Sequence, residues 1–273
     1  MNTSPNTVEG FDISDEGIFN FGPAVASGRR FCFIKATEGI DPGYRQSQTF
    51  GQNWANAKDA GLLRGAYHYL RGQHDGKTQA ELLYSHVQAT GDLGELPPAV
   101  DCEETPERNA PGATIYGPCV RDFIDRVSQL WGRRPLVYCG PGFWTPTHVS
   151  DEDAAYIAAH ADLWLAAWNP TPPTVRGWEQ AGPTFWQYAG NQPPGAIPGI
   201  GAQVDFNRFM LGDEGTLHAW AQSALAVPPR ASNGGKPAGG GGGGGGGLKP
   251  GSGGALALGF LVVLAALFGG RHT

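Results

Sequence analysis

Cysteine is scarce in this 273-residue chain, and its spacing suits neither a metal nor a redox pair. Cys32, Cys102, Cys119 and Cys139 form no Cys-x-x-Cys, which sets aside zinc-ribbon and thioredoxin-like chemistry. The seven histidines are scattered without ligand spacing, so no metal centre is expected. No run of Lys and Arg appears, and a formal charge of −6 with a pI near 5.6 argues against a nucleic-acid surface. No Gly-x-Gly-x-x-Gly follows a first strand and no phosphate loop is present, so no nucleotide cofactor is expected. Met1 to Glu9 is polar and has no apolar core of a secretory signal. Four cysteines allow three full pairings, which sequence does not rank. A Cys102–Cys119 bridge is within geometric reach, while cysteines in strands also serve as small buried hydrophobes.

What the chain does contain is aromatic and acidic. All eight tryptophans precede a glycine tract, and many of the 43 glycines follow Pro228. The most informative segment is Pro98-Ala99-Val100-Asp101-Cys102-Glu103, a short apolar run that ends in two acids. In a strand, side chains i and i+2 share one side, about 6.6 Å apart along the backbone. Two carboxyl groups so placed can flank one glycosidic bond, one as proton donor and one as negative partner. Two solvated acids at a strand end are the structural alternative.

Eight β-type segments are legible: Val8–Ser14, Phe31–Ala36, Gly65–Leu70, Ala99–Glu103, Leu136–Cys139, Leu163–Ala167, Thr184–Tyr188 and Gln203–Phe206. Apolar residues at helical spacing predict helices over Arg45–Ala60, Lys77–Thr90, Ile115–Trp131 and Asp151–His160, with a short one between Glu16 and Gly28. After Ala167 the helices stop and Pro/Gly-rich loops take over. Strand–helix alternation for five units, then three nearly bare strands, predicts an α/β fold, an irregular TIM-like (β/α)5β3 barrel. A doubly wound open sheet is the alternative. In a barrel, functional side chains gather at the C-terminal strand ends. Asp12, Asp101, Glu103 and Asp205 fall there, and clustered like charges serve stability poorly.

The ordered pieces identify a family. The chain resembles the glycoside hydrolase family 25 lysozymes, the Chalaropsis-type N-acetylmuramidases, from Glu9 to Phe209. The matching pieces are Gly10-Phe11-Asp12-Ile13-Ser14, Phe33-Ile34-Lys35-Ala36-Thr37-Glu38-Gly39, Ala60 to Tyr69, Asp101-Cys102-Glu103, Pro135-Leu136-Val137-Tyr138, Leu163-Trp164-Leu165-Ala166, Trp186-Gln187-Tyr188 and Val204-Asp205-Phe206-Asn207. The resemblance implies an irregular β/α barrel that cleaves the β-1,4 bond between N-acetylmuramic acid and N-acetylglucosamine in peptidoglycan. By the same resemblance Glu103 is the proton donor, Asp101 its partner carboxylate, and Asp12 and Asp205 further acids of the groove. It also implies retention of configuration, with the substrate's 2-acetamido group as nucleophile and Asp101 orienting it. Neighbouring negative charge and partial burial would raise the Glu103 pKa.

Tyr67, Tyr69, Tyr138, Trp164 and Gln187 occupy strand positions that suit sugar platforms or hydrogen-bond donors, and equally suit buried packing. Alternation puts His68 on the other face from Tyr67 and Tyr69, and His68 reads as a satisfied core or rim residue. Lys35 and Glu38 read as a local pair, and His74-Asp75 as a solvated loop. One departure from the family pattern is Ser14-Asp15-Glu16-Gly17, which adds acids at the groove entrance. A non-catalytic glycan-binding barrel is the functional alternative.

The domain plan follows: a disordered tail over 1–8, the catalytic barrel over 9–225, a Gly/Pro-rich linker over 226–254 and an apolar helix over 255–270. The run Gly253–Gly270 is uncharged and followed by Arg271, at the lower edge of the ~18 apolar residues that span a bilayer. It predicts a transmembrane or sorting segment with the barrel outside the cell, and a coil-like linker reaching on the order of 30 Å. A tail anchor facing the cytoplasm is the alternative. The expected partners are peptidoglycan glycan strands and, through the C-terminal helix, the membrane; the chain is expected to act as a monomer without cofactor, metal or nucleic acid.

Overall fold

The computed structural model describes residues 7–14, 16–40, 46–103 and 116–223. The expected linker and apolar helix lie outside these residues, as do Asp15 and most of the expected N-terminal tail. Among the described residues, no helix is long and apolar enough to cross a membrane.

The strands are β1 (Val8–Ile13), β2 (Arg29–Glu38), β3 (Leu63–Tyr69), β4 (Ala99–Asp101), β5 (Leu136–Cys139), β6 (Asp162–Ala166), β7 (Phe185–Gln192) and β8 (Val204–Phe209). They close into one barrel in chain order. The helices are α1 (Gly22–Ala26), α2 (Phe50–Ala60), α3 (Gly76–Gln88), α4 (Tyr116–Trp131), α5 (Asp151–His160) and α6 (Glu214–Ser223). Strands β1 to β7 run parallel, whereas β8 is antiparallel to both β7 and β1. Asp205 therefore comes from the start of its strand, not the end. The antiparallel direction brings that start to the barrel mouth where the other strands finish.

Alternation along the strands divides the apolar residues into two cores. Inward residues Val8, Phe31, Phe33, Leu63, Leu136, Trp164, Phe185 and Phe209 fill the barrel. Gly10 and Gly65 make room for this filling, since a Cβ on either would sit 2.4 Å from the ring of Phe31 or Phe33. Outward residues such as Ile34, Ala66, Val100, Val137 and Leu165 pack beneath the apolar faces of the helices, including Trp54, Leu83, Phe123, Val127 and Ile157.

Three boundaries depart from expectation for identifiable reasons. Helix α2 starts at Phe50, because the Ser47 amide donates to Ala36 O at 3.0 Å and ties the preceding turn to β2. Strand β7 runs on to Gln192, past the expected end at Tyr188, through register shifts on either side of Ala189. Helix α6 was not expected at all. Asp213 caps it, its Oδ1 accepting from the Thr216 amide and hydroxyl, both at 2.8 Å. Leu217 and Ala221 of α6 join the inner core, and Trp220 packs on Phe185 at 5.4 Å. Those partners sit at the N-terminal ends of the parallel strands, so α6 plugs the barrel end opposite the acids.

No disulfide links the four cysteines, which are buried thiols. The Cys102–Cys119 bridge considered from sequence is absent. Cys102 and Cys139 point into the layer between sheet and helices, where burial pushes both thiols up and leaves them unreactive.

Candidate active site

Strand β4 ends at Asp101, but the ladder continues one step: the Cys102 amide donates to Tyr138 O at 2.9 Å. This keeps the alternation intact beyond the strand. Asp101 and Glu103 both face the barrel mouth, and Cys102 between them faces away. Together with Asp12, Tyr67, Tyr138, Trp164, Trp168, Asn191 and Asp205 they line a cleft of about 220 Å³. All four acids read from the sequence share this cleft.

Their surroundings differ. Asp101 is 6% exposed, and among the described residues its Oδ1 has no hydrogen-bond partner. Burial raises its pKa well above the usual carboxylate range, the Glu103 charge adds to this, and Lys35 opposes it. Glu103 is exposed at the cleft edge. Asp12 is buried and also raised, by burial and then by Asp205, with its hydrogen bonds pulling the other way. Those bonds come from Asn207 Nδ2 at 2.6 Å and Gln187 Nε2 at 3.0 Å, both to Oδ1. Asp205 is raised by burial, opposed by the Asn191 amide, which donates to its Oδ1 at 2.6 Å. The exposed Glu16 adds negative charge that raises Asp205 further, an effect of the acidic entrance noted in the sequence.

Not every residue named from sequence has its expected surroundings. Gln187 is buried and stands behind the cleft wall. Its Nε2 donates to Asp12 and, at 3.2 Å, to Asp205 Oδ2, while its Oε1 accepts from Tyr138 OH at 3.1 Å and Trp168 Nε1 at 3.3 Å. Trp164 is floor and not platform: its ring stacks on Phe33 at 4.2 Å, and its Nε1 is spent on Asn207 Oδ1 at 2.7 Å. Tyr67 and Tyr138 keep their phenol protons, because burial and the surrounding carboxylates raise both pKa values. Tyr69 packs instead under Arg71 and Lys35.

The residues read as structural have structural surroundings. His68 bonds Thr37 Oγ1 at 2.7 Å and Gln79 Oε1 at 2.9 Å, and burial lowers its pKa to about 4. Lys35 pairs with Glu38 at 2.6 Å. Asp75 caps α3, but His74 is more engaged than a solvated loop residue, since its Nδ1 accepts from the Ile40 amide at 3.2 Å. Three site residues were missed. Asn207 lies two residues from Asp205 and so on the same face, a period-2 signal that was available. Asn191 and Trp168 carried none, because a register shift and a loop deliver them. Among the described residues, no group of His, Cys, Asp and Glu could hold a metal ion.

An exposed acid beside a buried one, with the buried Asp12 and half-buried Asp205 as a second pair, suits chemistry at a bond that gains positive charge as it breaks. Comparison with known proteins agrees with that class of chemistry. The sequence matches the profile of Glycosyl hydrolases family 25 over residues 11–199. It is 32% identical over 216 residues to Lysozyme M1 of Streptomyces globisporus, covering 74% of this chain and 67% of that protein. Against the N,O-diacetylmuramidase of Chalaropsis sp it is 30% identical over 191 residues, covering 66% and 87%. The fold superposes on the bacterial lysozyme from Streptomyces coelicolor with TM-score 0.68 and 29% identity, covering 82% of this chain and 100% of that one. A family GH25 lysozyme from Aspergillus fumigatus gives TM-score 0.65 and 28% identity, covering 79% and 99%.

Proposed function

Since the chain belongs to glycosyl hydrolases family 25 and is a glycoside hydrolase of the peptidoglycan-cleaving lysozyme kind, we propose that it hydrolyses the β-1,4 bond between N-acetylmuramic acid and N-acetylglucosamine, with Glu103 as general acid and base. The observation that carries this reading is the shared cleft of Glu103 and the buried Asp101, whose Oδ1 lacks a partner among the described residues. A buried acceptor without a donor is costly, and a donor from the ligand would relieve it. The N–H of a 2-acetamido group has that chemistry.

In the proposed sequence, the Glu103 carboxylic acid gives its proton to the bridging oxygen as the C1–O bond breaks. The acetamido carbonyl oxygen closes on C1, while Asp101 accepts the acetamido N–H and offsets the positive charge. Glu103, now a carboxylate, takes a proton from water, and that water's oxygen attacks C1 and reopens the ring with retained configuration. Asp12 and Asp205 supply further negative potential on the far wall. The cell envelope, where this substrate lies, is the proposed place of action.

Glu103→Gln keeps the side-chain shape and removes the proton. It is expected to leave the fold intact, by circular dichroism, and to abolish nearly all clearing of a cell-wall suspension. Mass spectrometry of wild-type digests is expected to find muramic-acid reducing ends. Glucosamine reducing ends would assign a different glycosidase, and full activity in Glu103→Gln would remove the acid from its role.

A further inference from the structure

Trp168 is 59% exposed, and among the described residues it is the one aromatic ring so open to solvent. Such a ring would ordinarily be mobile, yet two contacts hold this one. Its Nε1 donates to Gln187 Oε1 at 3.3 Å. Its underside rests on Gly190, where a Cβ would come within 2.0 Å of Cζ2. The backbone behind it is pinned as well: the Ala167 amide donates to Gln187 O at 3.1 Å, and Ala167 O accepts from Trp186 Nε1 at 2.7 Å. The result is an indole with one edge and one face fixed, the rest open, on the rim of the cleft that holds the four acids.

We propose that Trp168 is a sugar-stacking platform for the glycan strand, and that its N–H ties the platform to the Asp12–Asp205 pair through Gln187. An open, rigid aromatic face suits the apolar C–H face of a pyranose and costs little entropy to order. The Gln187 oxygen accepts from Trp168 and Tyr138, so its amide nitrogen is turned toward both carboxylates. A sugar seated on the ring thereby presses on the same amide that sets the acid pair. This inference rests on the glycan reading of the cleft.

Two variants separate its parts, both assayed as full chain on purified peptidoglycan glycan strands with reducing-end detection. Trp168→Ala is expected to raise KM by roughly tenfold, the order of one lost stacking contact, with the melting transition unchanged. Trp168→Phe keeps a ring and loses the N–H: KM is expected to stay within about threefold of wild type, while kcat falls and the acid limb of its pH profile moves. Wild-type KM and kcat in Trp168→Ala would overturn the platform and leave the hydrolase reading standing. A wild type that releases no reducing ends, but whose indole fluorescence is quenched by the strands in a Trp168-dependent way, would keep the platform and sink the hydrolase reading. An unmoved kcat–pH profile in Trp168→Phe would overturn the coupling.

Discussion

Asp12 and Asp205 face each other across the antiparallel β1–β8 pair, and a single amide nitrogen, Gln187 Nε2, donates to both at 3.0 and 3.2 Å. Two like charges at cross-strand distance repel, and the shared Gln187 donor, with a second donor to Asp12 from Asn207, offsets this. Gln187→Met, close in volume but without the amide, removes that donor. The Asp12 pKa should then rise further, because the lost bond is one that lowers it. The acid limb of the kcat–pH profile is expected to move to higher pH. At neutral pH, kcat should fall roughly ten- to a hundredfold through misplacement of the pair. Buried Tyr138 OH would lose its acceptor, at a cost of about 1–3 kcal/mol in stability. Rate profiles over pH together with denaturant titrations test both parts. An unmoved limb would mean that Gln187 only packs.

Asp101 places function against stability. Its carboxyl is buried with one oxygen unpartnered among the described residues, and its pKa is raised by burial and by Glu103. Between its unfolded and folded pKa values the native state holds a proton that the unfolded chain has released. Stability from this group is therefore highest below the unfolded pKa and is lost as pH rises through the folded one. His68 has the opposite sign, since its pKa falls from 6.5 to about 4 in the fold. It therefore costs stability as pH drops through that window. The wild-type curve mixes the two, so the informative quantity is the difference between Asp101→Asn and wild type. That difference should be near zero below the ordinary carboxylate range and grow in favour of the variant as the pH rises to 7. Cell-wall clearing should be lost over the whole range. Equilibrium denaturation at pH 4, 5.5 and 7 measures it, and a variant less stable than wild type at pH 7 would contradict the burial argument.

The barrel and its acids were legible because both depend on local pattern. Period-2 alternation places Asp101 and Glu103 on one face, and a short apolar run such as Leu136–Cys139, bounded by Pro135 and Gly140, reads as a buried strand. What the sequence hid depends on non-local register. Gln187 reads as a groove residue from its strand position alone. Its burial follows from the antiparallel β8, which sets Asn207 directly opposite it. Asn191 reaches Asp205 because β7 shifts register and the residue adopts φ 53°, a left-handed conformation in which Asn is one of the tolerated residues. No periodicity encodes such an irregularity. Helix α6 was missed for a different reason: only Leu217, Trp220 and Ala221 carry its apolar stripe, too few to stand out beside a Pro/Gly-rich stretch.

That helix yields the most direct separation of stability from catalysis. Leu217 is fully buried among inner-core residues that include Val8, Phe31, Phe185 and Phe209. The acids lie at the opposite end of the barrel, with the Phe33–Trp164–Phe185 ring layer between. Leu217→Ala removes three buried carbons from a close-packed site, a change that costs about 2–4 kcal/mol when neighbours relax only in part. Arg133 also donates to Ala221 O and to Glu95 O, so the helix is anchored by more than one side chain and should remain docked in the variant. The expected result is a lower denaturant midpoint with an unchanged slope, and specific activity per folded molecule equal to wild type at 25 °C. A fall in kcat that tracks the lost stability would mean that the plug transmits to the cleft, and that the ring layer does not insulate the two ends.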